Sequence, residues 1–352
     1  MRTAAVATTV GLIVIAGCGT PSGGKASGHD AGQASGVTAT PARTPDPLAG
    51  ALAVFVTVFG GSETSSVIVD GQRYSLGSET HAVVRAVAGA PGVVIEKDTS
   101  YSFAKSYIEP WTVNGKLYLA HIGSETGRLD LYEHDPASGK LVRQVCYLNS
   151  RNPRDDVAIV GERIYFITPI ARDFMGNYQG GGDIAYYDLP CNGEPGILTP
   201  ADKLPDLYGL HTAGGQLFAE VYKSGVRGLL RVDLKTGVLS DFATLPTAAM
   251  RPDVFYDGDD AFYFITELRD GVLTVAKLPL EGLRAAKAIA QIALRGKFEW
   301  ACVDAAGGEV FVSVSDPDPR FFVIGKGGTL AALDLDPGLF RSSVCGQVMR
   351  LP

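Results

Sequence analysis

Most signatures of a soluble enzyme are missing from this chain. Its 352 residues include five histidines, five cysteines and two tryptophans. No Cys-x-x-Cys pair or histidine cluster offers a metal centre, and no Gly-x-Ser-x-Gly stretch offers the nucleophile elbow of a hydrolase. Gly325-Lys326-Gly327-Gly328 lacks the Ser or Thr that would complete a phosphate loop. Ser102-Phe103-Ala104-Lys105 has a serine–lysine spacing without its partner motifs. Positive charge is in deficit too: 31 Lys and Arg against 38 Asp and Glu leave a net charge of −7. That balance excludes the basic footprint of nucleic-acid binding and electrostatic adhesion to anionic lipid. No cofactor is predicted.

What is present begins at the N-terminus. Met1-Arg2-Thr3 precedes a mostly apolar stretch from Ala4 to Gly17, shorter than the roughly 20 residues of a membrane-spanning helix. A basic start, an apolar centre and small residues before a cut site read as an export signal. Ile15-Ala16-Gly17-Cys18 resembles the lipobox of bacterial lipoproteins. The resemblance implies cleavage after residue 17, a lipid on Cys18, and location at the outer face of the bacterial cytoplasmic membrane. Residues 18–49 are mainly Gly, Ser, Ala, Thr and Pro, a composition that cannot offset the entropy of ordering. They are expected to be a tether reaching about 30 Å.

Residues 50–352 form the expected folded domain, within which a phrase returns. Gly115, Gly161, Gly215, Gly258 and Gly308 each sit in a turn followed by a β-branched or aromatic strand, at intervals of 46, 54, 43 and 50 residues. Such a period in an all-strand pattern marks the blades of a β-propeller. Residues 206–248 read most clearly as four strands. Asp135-Pro136-Ala137-Ser138-Gly139 and Asp233-Leu234-Lys235-Thr236-Gly237 resemble the turn between third and fourth strands of quinoprotein-like and YVTN-like propellers; the blade pattern is also WD40-like. The expected fold is all-β, with four-stranded blades and a ring closed by N- and C-terminal strands. Strand counting, including segments at 66–70, 72–76 and 101–105, favours seven blades; dividing the length by a period of about 48 residues gives six. Residues 281–294 also fit helical spacing, but an outer strand is preferred. Beyond Cys18, an even set of cysteines remains, and the intervals of 45 and 43 residues suggest pairing Cys146 with Cys191 and Cys302 with Cys345.

In a propeller the loops between second and third strands, and those leading from one blade to the next, open on one face. The longest such loop carries Arg172, Phe174 and Tyr178. The same face should carry Arg154 and Asp155, then Tyr208, then Arg251 and Asp253, with Glu299, Trp300 and Arg320 further on. His211 is the one histidine expected on an inner strand. These residues point to a non-enzymatic binding or scaffolding role for a protein, peptide or glycan partner. The alternative is an extracytoplasmic hydrolase, lyase or quinone-dependent oxidoreductase, which would require Asp155, His211, Asp253 and Glu299 to converge.

Overall fold

The structure is a computed structural model that describes residues 48–59, 66–69, 72–75, 81–98, 106–123, 126–152, 155–169, 182–223, 226–245, 256–257, 261–281, 285–315, 319–335 and 346–352. All lie in one compact unit, Asp46–Pro352. The export signal, Cys18 and the tether up to residue 47 lie outside the described residues.

The first blade is assembled from both ends of the chain. β1 (Leu52–Phe59) is followed by a hairpin of β2 (Ser66–Val69) and β3 (Gln72–Ser75), then β4 (His81–Val87) and β5 (Ala90–Asp98). Blade 2 comprises β6 (Ser106–Val113), β7 (Lys116–Gly123), β8 (Arg128–His134) and β9 (Leu141–Asn149). Blade 3 comprises β10 (Val157–Val160), β11 (Arg163–Ile167), β12 (Ile184–Asp188) and β13 (Gly196–Thr199). Blade 4 comprises β14 (Leu207–Ala213), β15 (Gln216–Lys223), β16 (Val226–Val232) and β17 (Leu239–Thr244). In blade 5, β19 (Ala261–Arg269), β20 (Val272–Pro279) and β21 (Lys287–Ala293) form an antiparallel ladder, while the short β18 (Tyr256–Asp257) pairs in parallel with β22 of the next blade. Blade 6 runs through β22 (Trp300–Ala306), β23 (Glu309–Ser315), β24 (Pro319–Ile324) and β25 (Leu330–Leu333). β26 (Gln347–Arg350) then pairs antiparallel with β1, giving the order β26-β1-β4-β5.

The expected closure by terminal strands therefore holds, but the blades number six, not seven. The seventh was an overcount of N-terminal strands: β2 and β3 pair only with each other, as an insertion between the second and third strands of blade 1. The strand expected at 101–105 lies outside the described residues. The dissenting stretch at 281–294 does hold an outer strand, β21.

Packing gives the same count. Among the described residues, six apolar clusters fill the interfaces between neighbouring blades, one for each junction of a six-membered ring. β1 shows why. Val54, Val56 and Val58 pack with Phe311 and Phe321 of blade 6, while Ala53 and Phe55 pack with Ile108, Leu117 and Leu119 of blade 2. A strand buried on both faces needs an unbroken apolar sequence, and Leu52–Phe59 reads LAVFVTVF. Thr57, its one polar residue, donates its hydroxyl to the carbonyl of Ile108.

The recurring turns have two jobs. Asn114-Gly115, Gly214-Gly215 and Gly307-Gly308 place both residues at positive φ, as two-residue turns twisted to match their strands. The Asp-x-x-x-Gly turns instead lock blade to blade. Asp135 and Asp233 accept backbone N–H groups within their own turns, and Gly139 and Gly237 sit at φ 71° and 69°. A side chain at Gly139 would strike Ile95 in the outer strand of blade 1, and one at Gly237 would strike the Leu198 carbonyl in that of blade 3. Arg85 of β4 reaches the same Asp135 turn, donating to the carbonyls of Pro136 and Ala137.

Cys146 in β9 and Cys191 after β12 form a disulfide that ties blade 2 to blade 3. Cys302 is also disulfide-bonded, and its expected partner Cys345 lies outside the described residues. Because the first bridge closes a loop with a sequence separation of 45 residues, replacing Cys146 and Cys191 by serine is expected to lower unfolding free energy by about 2–4 kcal/mol. Denaturant titration of the oxidised protein and the double variant measures this directly.

Candidate functional site

The loop face of blade 4 gathers charge and aromatic surface from three strands. Glu220 interrupts the apolar run of β15, and its side chain is 2% exposed. Two side chains share it: His211 Nε2 of β14 lies 2.8 Å from Oε2, and the Arg227 guanidinium of β16 pairs with Oε1. Burial pushes the Glu220 carboxyl up, but His211 and Arg227 together outweigh it and hold the group below its ordinary value. Glu220 is thus an ionised anchor rather than a proton donor.

Above this anchor stand two tyrosines. Tyr208 is 60% exposed and Tyr222 53%. Their ring centroids lie 6.5 Å apart, and Arg227 sits 5.5 Å from the centre of the Tyr208 ring. Arginine held in one rotamer by a buried carboxylate presents its flat face to the tyrosine at little further entropic cost.

Blade 3 braces the patch from the side. Arg151 makes two bonds to Asp156, Nε to Oδ2 at 2.8 Å and Nη2 to Oδ1 at 2.7 Å, and a third to the Leu207 carbonyl at 3.2 Å. Asp156 is fully buried, and burial raises its pKa against the pull of Arg151 and the Asn152 N–H. The Asp155 carbonyl accepts the Leu210 N–H at 2.9 Å. A Cβ at Gly209 would lie 2.7 Å from that oxygen, so only glycine lets the two blades approach here.

No family model and no curated protein matches the chain. Solved structures do. TolB from Acinetobacter baumannii is similar with a TM-score of 0.51 at 11% identity, covering 85% of this chain. The chain spans 65% of TolB, just under two thirds of that protein. The shared feature is the β-propeller. Two weaker likenesses are to a periplasmic gluconolactonase of Pseudomonas aeruginosa (TM-score 0.43, 17% identity, 81% of this chain and 83% of that one) and to a chain of a nidogen/laminin complex (0.46, 7%, 84% and 98%). At these identities the likeness concerns fold alone.

Tyr208, expected on the propeller face, and His211, expected on an inner strand, enter the patch directly, and Asp155 lies beside it with its carboxylate 2.7 Å from the Asn152 amide. Glu299 and Trp300 belong to blade 6, where Glu299 accepts from the Ser315 hydroxyl at 3.1 Å. Arg320 donates to the Ala293 carbonyl of blade 5 at 2.9 Å. Arg154, Arg172, Phe174, Tyr178, Arg251 and Asp253 lie outside the described residues. Glu220, Tyr222 and Arg227 escaped the sequence reading. One signal was available: a single glutamate inside an otherwise apolar strand, with an arginine beyond the following turn.

A second polar cluster lies between blades 1 and 2. Glu96 of β5 meets His121 Nε2 of β7 at 2.9 Å and His134 Nε2 of β8 at 3.4 Å. Burial alone would raise the Glu96 pKa, but contacts with the two imidazoles lower it from 4.5 to about 2. A carboxylate with a depressed folded-state pKa stabilises above its unfolded value, and the contribution disappears as pH falls through the folded one. Wild-type protein is therefore expected to lose stability more steeply than Glu96→Gln between pH 4.5 and about 2. Urea midpoints across that window test it; parallel curves would refute the assignment.

Proposed function

We propose that this protein is a binding or scaffolding lipoprotein, held through Cys18 at the outer face of the bacterial cytoplasmic membrane, whose propeller presents the blade 4 face to a protein, peptide or glycan. The observation that carries the reading is the pair of exposed tyrosines around an arginine whose conformation is set from below by buried Glu220. Tyrosine and arginine dominate binding hot spots because they offer large, stiff contact surfaces. The enzyme reading finds less support. The acidic and basic groups of this face are committed to one another, with His211 and Arg227 on Glu220, Arg151 on Asp156 and Glu299 on Ser315.

Crosslinking and pull-down from the native envelope is the direct test. The intact lipoprotein should retain a specific partner, and Tyr208→Ala with Tyr222→Ala should reduce its recovery at least tenfold while shifting the unfolding midpoint little, since both rings are exposed. Cys18→Ser should move the protein from the membrane to the soluble fraction. Absence of any specific partner together with turnover of a small-molecule panel would favour the enzyme.

A further inference from the structure

The polar groups of the blade 4 patch are unevenly satisfied. Arg227 gives Nε and Nη2 to Glu220 Oε1, and among the described residues nothing accepts the hydrogens of Nη1. The hydroxyls of Tyr208 and Tyr222, on exposed rings, likewise have no partner among the described residues. Acceptors, by contrast, are taken. Buried Glu220 receives both His211 and Arg227. The Leu207 carbonyl accepts Arg151 Nη2 at 3.2 Å, the Arg227 carbonyl accepts the Leu245 N–H at 2.9 Å, and the Asp155 carboxylate beside the patch accepts the Asn152 amide at 2.7 Å. The surface is donor-rich and acceptor-poor, and the charges of Glu220 and Arg227 cancel. The backbone accounts for the shared position of the rings. Register shifts between Leu207 and Gly209, which makes Tyr208 the extra residue of a bulge, and Tyr222 pairs across the next ladder with Arg227. A bulge re-aims the side chain it carries. The two ring planes are inclined by 42° with centroids 6.5 Å apart, a spacing that lets one small saturated ring rest against both.

We infer that the patch is the docking site for a proline-rich segment of a partner protein in the polyproline II conformation, with a pyrrolidine ring against Tyr208 and Tyr222 and carbonyls accepting from Arg227 Nη1 and the two hydroxyls. The inference rests on the reading of the blade 4 face as a binding surface and names its ligand class. That class follows from the donor excess. Proline has no N–H, so a run of prolines offers acceptors and asks for none. Polyproline II makes no internal hydrogen bonds, which leaves its carbonyls available, and its preformed shape loses little entropy on docking against aromatic side chains. A glycan answers the patch less well, because each sugar hydroxyl brings a hydrogen and the acceptors here are engaged. A strongly acidic or basic peptide finds no net charge in the Glu220–Arg227 pair to draw it.

The probe is N-acetyl hexaproline amide titrated at pH 8 into the folded protein, followed by the ring-proton signals of Tyr208 and Tyr222. Saturable shifts are expected with hexaproline, and none with a Gly-Ser peptide of equal length. Tyr208→Ala and Tyr222→Ala should each weaken binding at least tenfold, and Tyr222→Phe, which keeps the ring and removes the hydroxyl, should weaken it less than Tyr222→Ala. Should a variant not fold, the comparison of probes on wild-type protein decides alone. Chitotriose or hexaglutamate binding as tightly as hexaproline would overturn the inference, as would no saturable shift with hexaproline. The pull-down from the envelope separates this failure from a wider one. A partner whose recovery still depends on Tyr208 and Tyr222 would keep the blade 4 face as a binding surface while removing the proline-rich ligand; loss of that dependence as well would remove both.

Discussion

Deleting residues 346–352 is expected to abolish cooperative unfolding, seen as loss of the sigmoidal transition in thermal or urea denaturation and as gain of dye-accessible apolar surface. The segment is short, but it closes the ring. Val348, Met349 and Leu351 are 0%, 1% and 3% exposed, and burying three such side chains contributes about 5–9 kcal/mol in all. That is comparable with the whole stability of an ordinary domain, about 5–15 kcal/mol. β26 also supplies the ladder to β1, and its neighbours hold it from both sides. The Val348 N–H donates to buried Asp304 of blade 6 at 2.6 Å, and its carbonyl accepts the Thr112 hydroxyl of blade 2 at 2.9 Å. Without β26, β1 becomes an unpaired edge. A truncated chain that still unfolds in one sharp transition would show that the ring does not depend on this strand.

Glu220→Ala carries the second large effect, a loss of about 3–5 kcal/mol, because it strands His211 and Arg227 beside a vacated anion site. The double change Glu220→Met with Arg227→Met should restore much of that stability, since well-packed apolar residues often replace buried ion pairs without penalty. It should not restore partner recovery, because the cation beneath Tyr208 is then gone. The divergence between stability and binding separates a recognition role for Arg227 from a merely structural one. If recovery returned along with stability, the tyrosines alone would account for binding.

Local signals predicted local structure well. Blade 4 shows all four expected strands, the paired turn residues of Asn114-Gly115 and Gly214-Gly215 adopt positive φ, and Cys146 joins Cys191. These depend on alternation of side chains along a strand and on backbone freedom within a turn, both readable within a few residues. The blade count was not local. Residues 66–75 have a strand pattern whether they found a blade or, as here, pair only with themselves, and the difference lies in which edge is free to receive them.

The candidate sites were less legible for the same reason. From the repeat, Tyr208 was expected on the loop face and His211 on an inner strand, and both belong to β14. The partners that give them meaning, Glu220 and Arg227, sit on adjacent strands and come together only through the register of β14, β15 and β16. Glu96, His121 and His134 occupy three strands of two blades, so no spacing in the chain announces them. The sequence by itself determined the repeat, the propeller class and the turn chemistry, because period and φ preference are properties of neighbouring residues. Tertiary structure alone decided that the ring has six blades rather than seven and which charges meet, because both depend on contacts between residues tens to hundreds of positions apart.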